Sequence, residues 1–122
     1  MFNKMDRELA NNNNNLKEEN NMNDLVIINE DNELITTSRK VAEVFEKRHN
    51  AVIRSIRNLE CSNKFYALNF QERYYADKSG KKNKMYNITR DGFTFLTMGY
   101  TGKKAAKKKI EILEMFNKMD KN

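Results

Sequence analysis

Apolar residues recur along the chain with two spacings, and the shorter spacing predicts strands. Residues 25–28 form the β-branched run Leu-Val-Ile-Ile, and apolar residues 34–36 follow after a polar turn at 29–33, which is the pattern of a short hairpin. Residues 70–75 and 84–89 also have the pattern of strands, and they flank a turn-rich stretch. The sequence therefore predicts two antiparallel hairpins.

The longer spacing, every three or four residues, predicts helices. A first helix begins after Thr37-Ser38, whose hydroxyl groups can cap it. A break at residues 47–50 separates it from a second helix, in which apolar residues recur over 52–59. Two helices joined by a tight turn are typical of a helix-turn-helix. Residues 61–69 show neither spacing clearly and are interpreted as a connection.

Two further helices are predicted towards the end of the chain. Thr89 can cap a short helix over residues 90–98, and Thr101-Gly102 opens a longer helix that extends to about Lys118. The apolar stripe of the long helix is predicted to consist of Ala106, Ile110, Leu113 and Phe116. Together these elements predict an α+β fold, a small winged helix-turn-helix-like domain with short β-hairpins and a long C-terminal helix.

The length of the chain, 122 residues, fits a single domain. We expect residues 24–122 to form this domain, because residues 1–23 are rich in Asn and include an unbroken Asn run at 11–15. A polar tract of this kind cannot bury enough apolar surface to offset its ordering entropy. The sequence therefore predicts a mostly disordered extension followed by one folded domain.

The composition excludes several classes of protein. No run of about 18 apolar residues is present, so we expect no membrane segment. Cys61 is the only cysteine, which rules out a disulfide framework and a cysteine-based zinc site within one chain. Residues 99–104 only faintly resemble a phosphate-binding loop, because the spacing of their glycines and lysines differs from that motif. A nuclease would need a cluster of carboxylates, and the sequence shows none. We expect a cytoplasmic protein with no catalytic site, metal or cofactor.

The charge of the chain predicts an acidic partner such as double-stranded DNA. The formal net charge is +6, and residues 24–122 carry +7 because the first 23 residues carry −1. On the second predicted helix Asn50, Arg54 and Arg57 share a face away from the apolar residues. Arg matches guanine edges or phosphate and Asn matches adenine edges, as a helix in the major groove requires. The alternative is a solvated polar face, which most amphipathic helices have.

The candidate DNA-binding residues of the helix pair are polar and mostly basic: Arg39, Lys47, Arg48, His49, Asn50, Arg54, Ser55, Arg57 and Asn58. His49 has no nearby carboxylate to orient it as a catalytic base, and it is interpreted as an exposed residue at the start of the helix or as a phosphate contact.

Lysines also cluster around Gly80 at the tip of the second predicted hairpin, residues 76–83. The candidates there are Lys78, Lys81, Lys82 and Lys84. A charged hairpin tip that follows a helix-turn-helix is the arrangement of a winged helix, in which the wing contacts backbone phosphates and releases their counterions. The alternative is a solubilising loop, since Lys and Gly are common in turns.

The fourth helix begins with an unusual concentration of lysines, five within residues 103–109. Cations are unfavourable at the positive end of the helix dipole, and Lys103 and Lys104 have no acidic residue three or four positions later. DNA phosphate would compensate for this charge, so both lysines are candidate DNA contacts. The alternative is a lysine-rich solvated face.

Two blocks of the sequence resemble the phage regulatory protein Rha family. Residues 37–59, TSRKVAEVFEKRHNAVIRSIRNL, resemble its opening, and the later segment is similar to MYNITRDGF at 85–93 and MGYTGKKA at 98–105. The resemblance covers about residues 24–120. It implies a DNA-associated regulator encoded by a phage or prophage, with no catalytic residues, since Rha-type proteins are associated with phage growth control in hosts that lack integration host factor. The positions that match its DNA-facing segment are Arg48, His49, Asn50, Arg54 and Arg57.

Two functions remain open at this point. One is a regulator of transcription or phage growth that binds double-stranded DNA at the nucleoid of a bacterial host. The other is an antirepressor-like module that binds a host or phage regulatory protein through the same basic surface. The oligomeric state is also open, because the fourth helix has enough apolar positions for a homodimer as well as for a monomer.

Overall fold

The computed structural model describes residues 25–120, so the prediction for residues 1–23 lies outside the described residues. In the described part the helices are α1 (Ser38–Val44), α2 (His49–Arg57), α3 (Asn63–Asn69), α4 (Arg90–Leu96) and α5 (Lys103–Asp120). The strands are β1 (Ile27–Ile28), β2 (Leu34–Thr37), β3 (Phe70–Ala76) and β4 (Lys82–Ile88). The predicted α+β class and the long C-terminal helix are confirmed.

The four strands form one antiparallel sheet in the order β1-β2-β4-β3. β1 pairs with the first half of β2, where Ile27 faces Ile35, and the second half of β2 pairs with β4, where Thr36 faces Ile88. β3 and β4 pair along all of their residues. Both predicted hairpins are confirmed, and β2 joins them into a single sheet, a pairing between distant segments that local sequence patterns do not specify.

Hydroxyl side chains begin three of the helices. The hydroxyl oxygen of Thr37 accepts a hydrogen bond from the Lys40 N–H, and that of Thr89 accepts one from the Gly92 N–H, as the sequence predicts. Ser62 caps α3 in the same way. The interpretation of residues 61–69 as a connection was therefore wrong. α3 is only two turns long and its apolar residues, 65–68, are consecutive, so they show no helical period.

The core lies between the sheet and the helices. Val41 and Ile56 of the helix-turn-helix, Ile88 of β4 and Phe93 of α4 are completely buried, and each side chain of this kind contributes about 1.5–3 kcal/mol through removal of apolar surface from water. Gly92 lets α4 approach the end of α3 closely. The helix pair and the β3–β4 hairpin are thus anchored in the same core.

The buried stripe of α5 overlaps the predicted one at Phe116 and Leu113, which contact the core, but not at Ala106 and Ile110. Ile112 and Phe116 are buried, whereas Ala106 is exposed and Ile110 is 54% exposed. Leu113 is partly buried and lies at the border between the two faces. The sequence allows either stripe because both have helical spacing, and contact with the rest of the core selects Ile112.

Candidate nucleic-acid interface

The helix-turn-helix pair consists of α1, α2 and the turn of residues 45–48 between them. A 2.9 Å hydrogen bond from the Lys47 N–H to the Ala42 carbonyl closes the turn, and Glu46 has a φ of 56°, a left-handed conformation that is uncommon for residues other than glycine. Phe45 packs against the core. The turn is therefore held both by its backbone and by its apolar side chain, which determines where α2 begins.

α2 has one apolar face and one polar face. Val52 and Ile56 are buried, whereas Asn50, Arg54 and Arg57 are exposed. Both arginines lie in the last turn, where their charge also complements the negative end of the helix dipole. Among residues 25–120 neither arginine forms an ion pair, so both guanidinium groups are available to a ligand.

His49 differs from the other candidates of the helix pair because its ring is partly buried. Its Nε2 lies 2.8 Å from the Oγ of Ser38, which also accepts a 2.9 Å hydrogen bond from the Tyr86 N–H. Its ring packs edge-on against Tyr75. Burial, and then the positive charge of Arg39, lower the pKa of His49, so the neutral ring is favoured near pH 7. His49 therefore joins α2 to α1 and β3, and its contact with DNA stays a prediction.

The wing, which is β3, β4 and the tip between them, packs against the helix pair. The guanidinium carbon of Arg39 lies 3.8 Å from the centre of the Tyr75 ring. Lys84 of β4 forms a 2.7 Å ion pair with Glu72 on the facing strand. The hydrogen bond to Glu72 raises the pKa of Lys84, and the positive charge of Arg57 opposes that shift. The end of α2 is thus within electrostatic reach of the wing.

The tip of the wing, residues 77–81, is organised by the carboxylate of Asp77. Its Oδ1 accepts hydrogen bonds from the N–H groups of Ser79 and Lys81, at 2.9 and 3.0 Å, and its Oδ2 accepts one from the side chain of Asn83. Hydrogen bonds from the side chains of Ser79 and Asn83 lower the pKa of Asp77 to about 2. Gly80 has a φ of +86°, which favours glycine. The exposed lysines that surround this ordered loop, none of them in an ion pair within the described residues, are Lys78, Lys81 and Lys82.

The first turn of α5 lies against the helix-turn-helix turn. The Nζ of Lys104 is 3.0 Å from the Oε2 of Glu46, and the Nζ of Lys47 is 4.5 Å from the centre of the Tyr100 ring. These side chains border a cleft of about 330 Å³ that Lys108 also lines. The acidic partner that Lys104 lacks at helical spacing is thus supplied by a distant turn.

The three predicted basic stretches all adjoin the helix pair: α2 belongs to it, the wing contacts it, and the start of α5 is paired with its turn. Two candidate lysines have part of their charge neutralised, Lys84 by Glu72 and Lys104 by Glu46. Sequence analysis missed both glutamates. The cross-strand position of Glu72 could have been found from the strand register, but no sequence signal indicates Glu46.

The remaining candidates of the helix pair are exposed and lie around its polar side: Arg39, Lys47, Arg48, Ser55 and Asn58. No helix among the described residues is both long and apolar enough to cross a membrane.

The described residues thus form a small α+β domain in which two helices joined by a tight turn, a hairpin and the start of α5 carry exposed basic residues. The model of one family, phage regulatory protein Rha, matches residues 36–121. The chain therefore belongs to the phage regulatory protein Rha family, as the two blocks of sequence resemblance indicated.

Curated relatives come from bacteria and phages. A protein of Haemophilus influenzae, with no described function, is 42% identical over 96 residues, which are 75% of this chain and 55% of the relative. A 22.8 kDa protein of Salmonella phage P22 is 33% identical over 88 residues, or 70% of this chain and 44% of the relative. The SPbeta prophage-derived, antirepressor-like protein YoqD of Bacillus subtilis is 30% identical over 101 residues, or 80% of this chain and 40% of the relative.

The chain spans about half the length of the curated relatives it matches. No solved structure matches it.

Proposed function

We propose that this phage regulatory protein binds double-stranded DNA, with α2 in the major groove and the wing on the neighbouring backbone. The observation that carries the proposal is the position of Arg54 and Arg57, which are exposed, free of ion pairs within residues 25–120, and next to a wing with an ordered lysine-rich tip. An arginine fork can bind guanine O6 and N7 with two hydrogen bonds.

Lysines around the helix pair supply the contacts that do not depend on sequence. Lys81 and Lys82 at the wing and Lys103 at the start of α5 are exposed and unpaired in the described part of the chain. Each lysine that neutralises a phosphate releases condensed counterions, which favours binding at low salt. We propose a role in transcription or phage growth control, at the host nucleoid, without catalysis or a cofactor.

The second candidate function is that of an antirepressor-like module, which binds a regulatory protein. It is favoured by the resemblance to YoqD, whose description is antirepressor-like. In this case the same basic surface would bind an acidic surface of a host or phage regulatory protein, and the arginines of α2 would pair with carboxylates instead of bases.

Selection of bound duplexes from a random pool distinguishes the two functions. We expect enrichment of a defined sequence, and we expect Arg54→Ala to weaken binding to that sequence by about 1–3 kcal/mol and to relax its preference at one position. Lys64→Ala, which removes an exposed charge from α3, is the matched control and leaves the affinity unchanged. Absence of duplex binding at low salt would reject the DNA proposal and favour the antirepressor function.

A further inference from the structure

The outward face of α5 carries one exposed isoleucine between two lysines and a glutamate. The buried residues of α5, Ile112 and Phe116, lie on its inner side. The residues at the centre of the opposite side are all exposed and follow each other at intervals of four, three, four and three: Lys103, Lys107, Ile110, Glu114 and Asn117. Every face of an α-helix has this spacing, so the chemistry of these residues decides what the face can bind. The only large apolar side chain of this stripe, Ile110, lies at its middle and is 54% exposed.

The charges of this outer stripe are separated along the helix and are not paired within it. Lys103 and Lys107 lie in the N-terminal half and Glu114 in the C-terminal half. Lys107 and Glu114 are seven positions apart, about 10 Å along the axis, and they do not pair with each other within one chain. No ion pair within residues 25–120 involves any of the three.

The lysines of α5 divide into those with an internal partner and those without. Lys104 pairs with Glu46, and Lys109 donates a 3.2 Å hydrogen bond to the Thr97 carbonyl. Lys103 and Lys107 have no such partner in the described part and stand near the positive end of the helix dipole, where cations are unfavourable. An external negative group along the outer stripe would relieve this repulsion.

We propose that a second copy of this chain packs on the outer stripe, with the two α5 helices antiparallel and a two-fold axis near Ile110. This arrangement places Ile110 against its counterpart and places Lys107 of each copy beside Glu114 of the other. Antiparallel pairing also brings the negative C-terminal half of one helix beside the positive N-terminal half of its partner. A two-fold interface needs a surface that complements itself, and the middle of the outer stripe, Lys107, Ile110 and Glu114, meets this requirement. The proposal does not depend on DNA binding.

The outer stripe is short, so the association is weak. α5 has 18 residues and is about 27 Å long, and one helix pair of this length buries less surface than the roughly 1,200–2,000 Å² of stable complexes. We expect the full chain to be a monomer of 14.5 kDa at a protein concentration of about 1 µM. At about 1 mM we expect it to be largely dimeric, which corresponds to the free energy of association of a weak complex.

Sedimentation equilibrium of charge-swapped variants tests the proposal. Glu114→Lys places lysine against lysine at two symmetric positions and is expected to weaken dimerisation about tenfold. The double variant Lys107→Glu with Glu114→Lys restores both contacts in an antiparallel pair and is expected to return to within about threefold of the natural affinity. The control Glu60→Lys makes the same charge change at an exposed residue outside α5 and is expected to have little effect.

Three results would overturn the proposal. The chain could stay monomeric up to 1 mM, Glu60→Lys could weaken dimerisation as much as Glu114→Lys, or the double variant could be no better than the single one, as in a parallel pair where Lys107 faces Lys107. The far-ultraviolet circular dichroism of each variant checks its fold, which these exposed positions should leave intact.

Discussion

Ser38 is the residue at which the helix pair and the sheet are joined. Its side chain is completely buried, accepts a hydrogen bond from the Tyr86 N–H and contacts His49. Burial of a hydroxyl group lowers the stability of the fold little when both of its hydrogen bonds are formed, and much more when it has no partner. Ser38 thus holds the start of α2 at a fixed position over β4, and single residues of this type determine how accurately the candidate interface is built.

His49 should make stability depend on pH, with a sign that follows from its lowered pKa. The unfolded chain protonates His49 near its usual pKa of 6.5, and the folded protein does so only at lower pH. The contribution of His49 is therefore complete above pH 6.5 and decreases as the pH falls towards the folded pKa. Urea unfolding at pH 7.5 and 5.5 should show a larger loss for the natural chain than for His49→Gln.

His49 is the only histidine of the chain, so no other imidazole contributes to this difference. Equal losses in the two proteins would mean that the ring is not held between Ser38 and Tyr75 in solution.

Gly92 should not tolerate a side chain. A Cβ at this position would lie 2.7 Å from the backbone oxygen of Asn69, so α4 would have to move away from the end of α3. We expect Gly92→Ala to lower the free energy of unfolding by about 1–3 kcal/mol, as overpacking does. Gly99→Ala is the control, because nothing lies within 4 Å of a Cβ there, and it should change stability by less than about 0.5 kcal/mol. Similar losses for both variants would contradict the close packing at Gly92.

At the scale of elements, the wing shows how hydrogen bonds and ring contacts hold exposed lysines in place. Asp77 organises the tip through hydrogen bonds from Ser79, Lys81 and Asn83, and Tyr75, two residues before the tip, contacts α1 through Arg39. The exposed lysines are therefore carried by an ordered loop, and less conformational entropy is lost when such a loop binds.

Removal of the lysines of the wing should change the salt dependence of DNA binding. We expect Lys81→Ala with Lys82→Ala to weaken binding to all duplexes alike and to make the slope of log affinity against log salt shallower by about one unit for each lost phosphate contact. Titrations at several salt concentrations measure this slope. Lys64→Ala with Lys118→Ala removes the same charge elsewhere and should leave the slope unchanged. A slope unaffected by loss of Lys81 and Lys82 would exclude the wing from the interface.

At the scale of the whole molecule, α5 covers one side of the core and also carries charged residues. Ile112 and Phe116 insert among the other core residues, and the start of the helix reaches the helix-turn-helix turn through Lys104 and Glu46. The packing of one long helix therefore sets the position of the basic residues at its beginning.

Two isoleucines of α5 should differ strongly in their contribution to stability. Ile112 is completely buried and Ile110 is 54% exposed. We expect Ile112→Ala to lower the free energy of unfolding by about 2–5 kcal/mol because it leaves a cavity, and Ile110→Ala to change it by less than about 0.5 kcal/mol. Urea unfolding at about 1 µM protein, where the chain is monomeric, measures both. A larger loss of stability for Ile110→Ala than for Ile112→Ala would mean that Ile110 faces the core, as the sequence predicted.

Much of the fold followed from local patterns, and the errors have local causes. The caps at Thr37 and Thr89 and the β3–β4 hairpin could be predicted because hydroxyl groups and strand alternation act over a few residues. α3 was missed because seven residues with an exposed Leu68 show no apolar stripe. In the candidate site, the exposed arginines of α2 could be predicted from helical spacing, but their environment could not, since Glu46 and Tyr75 come from distant parts of the chain.

The sequence by itself determined the class of the fold, the order of most helices and strands, the positive charge of residues 24–122 and the family. Only the tertiary structure decided that β2 joins the two hairpins, that Ile112 instead of Ile110 faces the core, and that His49 is tied to Ser38. The physical reason is the range of the interactions. Capping, turns and periodicity are set by neighbours along the chain, whereas burial, ion pairs between distant residues and pKa values depend on which elements come into contact.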